Sequence, residues 1–322
     1  MTFKKYVARR TLETIPGVLA VIVLAFVIIH IIPGDPISKF VGPFETDIQY
    51  VNMMRERFGL NEPLHIQLWK YMANLLQGEF GRSVHGRPVL DIIAERIPAT
   101  LMLTVSGLVF ALVVGIFLGV AASRKPYSVL DSFSMSVSIV GYSVPVFWLA
   151  QMLVLVFALE LGILPAGGMT SVREEYTGLA YISDVAMHLV LPALALGVNQ
   201  LALIGRLVRS SMLEVFREDY IMTARSKGIK EKVVVYKHAL RNALLPVVTA
   251  TGMQVGYLLT GAVLTETVFS WPGLGRLLYE SLNFRDYPVL MGMFVIISIS
   301  VVLANFFTDI VYSLLDPRVR YG

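Results

Sequence analysis

Charged residues fall along this chain in blocks. Between the blocks lie six stretches without a single Asp, Glu, Lys or Arg: Thr14–Gly34, Ile97–Ser123, Ser132–Leu159, Val185–Gly205, Asn242–Thr265 and Tyr287–Thr308. Each has at least 21 residues. At about 1.5 Å per helical residue, that length covers the roughly 30 Å hydrocarbon core of a bilayer. A charge at the bilayer centre costs about 3 kcal/mol on insertion scales, so six such gaps predict six transmembrane helices.

The polar intervals carry helical patterns of their own. In the interval 35–96, Ile48, Val51, Arg55 and Phe58 keep helical spacing up to Gly59. A second helix follows, with Asn61 as a possible cap, Pro63 in its first turn, Leu64, Leu68, Tyr71 and Leu75 on one stripe, and Gly78 beyond its end. A third, Pro88 to Arg96, leads into the second apolar stretch. Trp69 suits an interfacial anchor. This insert is either a structural cap on the membrane surface or a docking surface for an extracellular protein.

The interval from Arg206 to Pro246 predicts two short helices joined by a glycine. Asp219 can cap the first, which puts Tyr220, Thr223, Ala224 and Lys227 on one face. Arg225 and Lys227 then fall in the last turn, where cations suit the helix dipole, and Gly228 stands where a left-handed cap would go. Val233, Tyr236 and Leu240 make the apolar stripe of the second helix.

Composition agrees with a membrane protein: 56% of residues are hydrophobic and the mean hydropathy is +0.68. The net charge of +4 is modest and follows from loop asymmetry, without nucleic acid as a partner. Seventeen of the 27 Lys and Arg lie before the first stretch, at Arg124 and Lys125, from Arg206 to Arg241, and at Arg318 and Arg320. The positive-inside rule therefore puts both termini in the cytosol, as an even number of spans requires. The apolar run behind Lys4, Lys5, Arg9 and Arg10 is too long for a signal-peptide core and reads as an uncleaved anchor. The expected organisation is a cytosolic segment and first helix (1–34), a helical extracellular insert (35–96), a transmembrane domain (97–313) with a cytosolic loop (206–241), and a cytosolic tail (314–322).

The polar and proline positions that stand out within the spans are Tyr142, Ser143, Pro145 and Gln151 in the third, Pro192, Asn199 and Gln200 in the fourth, Gln254 in the fifth and Asn305 in the sixth. Such groups face a bundle interior, either for interhelical hydrogen bonds or to line a pathway, and Gln151, Asn199, Gln200 and Gln254 are the pathway candidates. Between the last two spans, Trp271-Pro272-Gly273 reads as a rigid turn with an aromatic anchor at the interface.

Enzymatic motifs do not occur. There is no Gly-Lys dipeptide and hence no phosphate-binding loop of the Walker type, no His-Glu-x-x-His and no Gly-x-Ser-x-Gly. The five histidines are scattered and there is no cysteine. The chain is expected to be no enzyme and to hold no cofactor or metal. It also lacks a mid-membrane charged relay and internal repeats, the marks of a self-sufficient secondary transporter.

The string DYIMTARSKGIKEKVVVYKHALRNALLP, Asp219 to Pro246, resembles the glycine-centred cytoplasmic signature of ABC-importer membrane subunits, in the form used by dipeptide, oligopeptide and nickel permeases. The general signature has Glu-Ala-Ala where this chain has Met222, Thr223 and Ala224. PGDP (33–36) and FGLNEPL (58–64) are similar to the first-type membrane subunit of peptide importers, and TETVFSWPGLGRLL (265–278) resembles the family's extracellular gate region.

The resemblance implies an all-α, polytopic fold of the type I ABC importer kind, in which the loop after the fourth span is a coupling helix docked on a separate ATPase. It implies coupling residues Asp219, Tyr220, Thr223, Ala224, Arg225, Lys227 and Gly228, and gate residues Glu266, Trp271 and Gly273. Its implied partners are a second, similar permease subunit, two ATPase subunits that carry ATP and Mg, an extracellular solute-binding protein and the lipid bilayer of a prokaryotic cell membrane. Di- or oligopeptides are the implied cargo, with nickel or another small solute as the alternative.

Overall fold

The computed structural model describes residues 3–31, 61–172, 176–255 and 262–315, and all secondary structure named below is helical. The helix expected at 48–58 and the PGDP segment lie outside the described residues. The chain divides into two compact units, residues 1–98 with 273–322, and residues 99–272.

In the first unit, α1 (Phe3–Ile31) packs along α13 (Tyr287–Leu315). Phe26 of α1 is buried with Leu290 and Met291 of α13. The stripe of α2 (Leu64–Leu76) closes over them through Leu68 and Tyr71, while Leu64 itself stays exposed. Pro63, not Asn61, is the residue before α2, and it makes no side-chain cap. His30 links α1 to α2: its ring nitrogens lie 2.8 Å from the Phe26 carbonyl oxygen and 3.3 Å from Gln67 Oε1. Asp286 caps α13 by accepting from the Val289 amide and also accepts from Ser83 Oγ at 2.5 Å, which fastens the turn at 79–88 to the same helix start. The amphipathic α12 (Leu274–Phe284) buries Leu274 and Leu277 and packs on α13.

The helix expected over Pro88 to Arg96 is no separate element. It runs unbroken through Pro98 into the second apolar stretch as α3 (Val89–Arg124), 36 residues long. In the second unit α3 lies against α6 (Leu179–Val215) with almost no side-chain spacer. Gly107, Ala111, Gly115 and Gly119 recur every fourth residue along the contact. A Cβ at Gly119 would stand 2.7 Å from the Gly205 carbonyl oxygen, and one at Gly197 2.8 Å from that of Gly107. Small residues let helix backbones approach, and dispersion then replaces the hydrophobic drive that lipid cannot supply.

The third apolar stretch is not one straight helix. α4 (Val129–Ser143) and α5 (Val146–Leu153), the latter continued by a π-helical stretch over Val154–Glu160, meet at an angle of 103°. The cause is local: Pro145 forces the preceding residue away from helical geometry, and Val144 is extended at ψ 126. By length and apolarity α3, α6 and Tyr287–Ala304 of α13 can each cross a membrane, and α4 with α5 makes a fourth if counted as one span. Ile15–Val27 of α1 is a shorter apolar helix, and within the fifth stretch α10 (Leu245–Val255) is the longest helix among the described residues, which leave out 256–261.

Candidate functional site

The loop beyond α6 folds into α7 (Asp219–Ser226) and a second helical piece made of α8 (Glu231–Val233), a π-helical turn over Val234–Ala239 and α9 (Leu240–Ala243). Glu218 rather than Asp219 is the residue at the N-cap of α7, and its side chain makes no capping bond. Asp219 sits in the first turn, where its carboxylate suits the exposed amides. At the other end Gly228 takes φ +72. Its amide donates to the Arg225 carbonyl at 2.9 Å and that of Ile229 to Ala224 at 3.3 Å, the paired bonds of a Schellman cap.

α7 is rooted in the protein by Ile221 and Ala224, buried against Val208 and Met212 of α6 and Val234 and Val235 of the following turn. Ala224 therefore does not share the outward face with Tyr220, Thr223 and Lys227: a face drawn at i, i+3, i+4 and i+7 straddles the boundary, and Ala224 falls on its inner side. Tyr220, Thr223 and Lys227 are exposed, with Met222 beside them. Two contacts hold the face in shape. Tyr220 Oη accepts from Asn242 Nδ2 at 2.7 Å, and Arg225 pairs with Glu231 at 2.8 Å across the glycine turn while its guanidinium lies 5.3 Å from the Phe216 ring centroid. The Arg225 hydrogen bond holds the Glu231 carboxyl below its ordinary pKa.

The second stripe is also shifted. Val233 and Tyr236 are exposed, whereas Val234, Val235, Ala239 and Ala243 are buried. The π-helical turn has a wider repeat than 3.6 residues and rotates everything beyond it.

Glu266 and Trp271 lie in a segment buried more deeply than an interfacial turn would be. α11 (Val263–Val268) has Phe269 as its C-cap; Ser270 beyond it takes φ +51, and the chain turns inward there rather than at Pro272. The Ser270 amide donates to Thr267 and the Trp271 amide to Glu266, a second Schellman cap. Trp271 is fully buried with Ala99, Leu103 and Val185, and its indole N–H donates to the Ala99 carbonyl at 2.8 Å. It is a core residue, not a membrane anchor. Glu266, also fully buried, accepts from Thr100 Oγ1 at 2.9 Å. The loop at 161–172 reaches the same segment, where the Gly168 amide donates to the Phe269 carbonyl at 2.7 Å. Its other end is tied to α6 by Ser171, which donates twice to Asp184. Gly273 precedes α12 in extended geometry that any residue adopts.

The polar residues of the spans divide by role. Gln200 of α6 and Gln254 of α10 exchange amide hydrogen bonds at 2.7 and 2.9 Å. Asn199 donates to the Tyr142 carbonyl at 3.2 Å, one of those freed by the break at Pro145. Gln151 is exposed and joins neither pair. Two cations on α6 belong to this region although the spacing rules did not select them. Arg209 makes a two-pronged pair with Asp131 of α4, at 2.5 and 2.7 Å, and Arg206 lies 5.1 Å from the Tyr142 ring centroid. A signal was present: Asp131 borders the third charge-free stretch, and Arg206 and Arg209 follow the fourth, as partners at one end of neighbouring helices would. Among the described residues no group of three His, Asp or Glu side chains could hold a metal ion.

Comparison with known proteins gives a consistent result. The model of the binding-protein-dependent transport system inner membrane component matches residues 111–321, and the corresponding N-terminal model matches residues 3–104. The chain is 43% identical to the dipeptide transport system permease protein DppB of Alkalihalophilus pseudofirmus, over 98% of this chain and 99% of the relative. It is 41% identical to the oligopeptide transport system permease protein AppB of Bacillus subtilis and 41% identical to the glutathione transport system permease protein GsiC of Salmonella paratyphi A, each over 98% of this chain and 99% of the relative.

Proposed function

The chain belongs to the family of binding-protein-dependent transport system inner membrane components, and from that premise we propose that it forms half of an ATP-driven pathway for short peptides. It is a membrane-integral permease component, built of helices, and its family is one of transport rather than of catalysis. The names of the relatives favour peptides, including a tripeptide-sized solute, over nickel.

In this reading six spans place both termini in the cytosol, and α7 is the coupling helix. Asp219, Tyr220, Thr223, Arg225 and Lys227 meet an ATPase subunit, Gly228 sets the turn, and Ala224 serves as the root. Glu266 and Trp271 steady the outer gate, with Gly273 at its margin. Gln200 and Gln254 border the pathway, Asn199 holds its wall, and Gln151 faces a second permease subunit. ATP and Mg sit on the two ATPase partners, and a solute-binding protein delivers the cargo outside.

The observation that carries this reading is the two-sided build of α7: an exposed face of Tyr220, Thr223 and Lys227 opposite an inner side locked to α6 by Ile221 and Ala224. A push on that face must move α6, which bears Asn199, Gln200 and Arg206. Turning a gate from about 1:99 to 99:1 needs roughly 5.5 kcal/mol of differential binding, a load suited to closure of a nucleotide-bound partner.

The chain has no cysteine, so a Thr223→Cys variant carries a single thiol. In the assembled transporter it should cross-link to the ATPase subunit, and more strongly when nucleotide is bound. Cross-linking that never reaches an ATPase, or transport by this chain alone in vesicles without one, would overturn the reading.

A further inference from the structure

The structure assigns Arg206 a ligand of its own: we propose that its guanidinium receives the terminal carboxylate of the transported peptide. The proposal rests on the peptide reading above and adds to it a specific point of capture.

The contrast with Arg209, one turn further along α6, motivates it. Arg209 has its countercharge, with Nε and Nη2 both donating to Asp131. Arg206 pairs with no carboxylate among the described residues, and its Nε is buried without a hydrogen-bond partner. A buried donor on a charged group is costly to leave unmade, and a cation at the edge of an apolar span calls for an anion. Tyr142 supplies a π-face, at 5.1 Å from the guanidinium carbon, but no countercharge.

The surroundings are those of a receiving niche. Tyr142 is half exposed, so the wall opposite Arg206 opens outward. It stands immediately before the 103° bend, where Asn199 holds its carbonyl and so fixes the ring's backbone in place. A guanidinium within cation–π reach of an aromatic ring still carries N–H donors, and its fork matches a carboxylate with two parallel bonds. The niche thus selects a planar anion presented edge-on, such as the free C-terminus of a short peptide. The phosphate of an anionic lipid offers the same charge and is the competing source.

The test reads the residue directly. The complete transporter is placed in phosphatidylcholine nanodiscs, modified with phenylglyoxal and mapped by mass spectrometry for the rate at Arg206. Millimolar trialanine should slow modification at Arg206 several-fold while trialanine amide should not. Equal rates with both peptides would overturn the proposal. So would protection in phosphatidylglycerol nanodiscs that is complete without peptide and unchanged by it, which would identify lipid phosphate as the anion.

A second measurement separates binding from support of the fold. In proteoliposomes supplied with the binding protein and an isotope-labelled tryptic digest, Arg206→Gln should lower ATP-dependent uptake about tenfold, the worth of one charge-assisted hydrogen bond. Binding-protein-stimulated ATP hydrolysis should stay within twofold. Parallel loss of uptake and hydrolysis would mark a structural role and defeat the proposal. If the unmodified transporter imports no peptide, the peptide reading falls, while protection of Arg206 by a carboxylate remains a separate result.

Discussion

Gly228 gives the sharpest test of the proposed coupling helix, because its structural contribution can be isolated. The residue holds φ +72, and a Cβ added there would meet nothing within 4 Å. Substitution therefore costs backbone strain alone, about 1–2 kcal/mol for an ordinary L residue in the left-handed region. The strain acts against two hydrogen bonds, Gly228 to Arg225 and Ile229 to Ala224, each worth about 1 kcal/mol net. Alanine should thus leave the cap formed for part of the time, valine should open it, and asparagine, which tolerates this geometry, should retain it. Proline can neither reach φ +72 nor donate to Arg225, and should abolish the cap. The assay is ATP-driven uptake by the reconstituted transporter, with hydrogen exchange over residues 224–232 in parallel. Uptake and amide protection should both fall in the order Gly, Asn, Ala, Val, Pro, with Ala down by about five- to thirtyfold at most on the strain above. An asparagine variant as impaired as valine, or a proline variant with normal uptake, would refute the reasoning.

Three further outcomes follow from the packing. Arg209→Met strands the buried Asp131 carboxylate and should cost about 3–5 kcal/mol in detergent unfolding, whereas Asp131→Leu with Arg209→Met should recover much of that loss. Gly119→Ala drives a methyl to 2.6 Å from Val208 Cβ and should destabilise by about 1–3 kcal/mol, while Gly205→Ala, with its nearest neighbour at 3.6 Å, should be close to neutral in the same assay. Because Arg225 depresses the Glu231 carboxyl, their contact is complete above the ordinary carboxylate pKa and is lost as pH falls through the lowered value. Hydrogen exchange across the Gly228 turn should accelerate on that acid limb, and Glu231→Gln should remove the acceleration.

The periodic parts of the molecule were legible before its shape was known. Gly228 could be placed in a left-handed cap because helix-forming residues stop there and a glycine follows. Of the stripe Leu64, Leu68, Tyr71 and Leu75 on α2, Leu68 and Tyr71 pack as the spacing implies and Leu64 does not. Charge-free length located apolar segments but could not find a break within one: Pro145 divides α4 from α5, whereas Pro98 and Pro192 sit inside continuous helices. A proline by itself therefore does not distinguish a break from a continuous helix. Of the stripe Val233, Tyr236 and Leu240 only Leu240 packs on the core, because a π-helical turn changes the repeat without a sequence mark. Trp271 misled for another reason: an aromatic beside a span suits an interface, and only the turn at Ser270 carries it inward. The glycines of α3 were visible at a spacing of four, but their meaning depends on Gly197 and Gly205, some ninety residues along the chain.

The close seating of α3 on α6 also bears on biogenesis. The chain leaves the ribosome in order, and α3 is complete at residue 124, long before α6 begins at 179. Throughout that interval the glycine face of α3 lacks the partner helix against which it is shaped. A nascent protein stalled or truncated ahead of α6 therefore displays a bare ridge of backbone to the membrane's quality-control proteases. Docking of α6 conceals that ridge and so marks the point at which the new permease becomes durable.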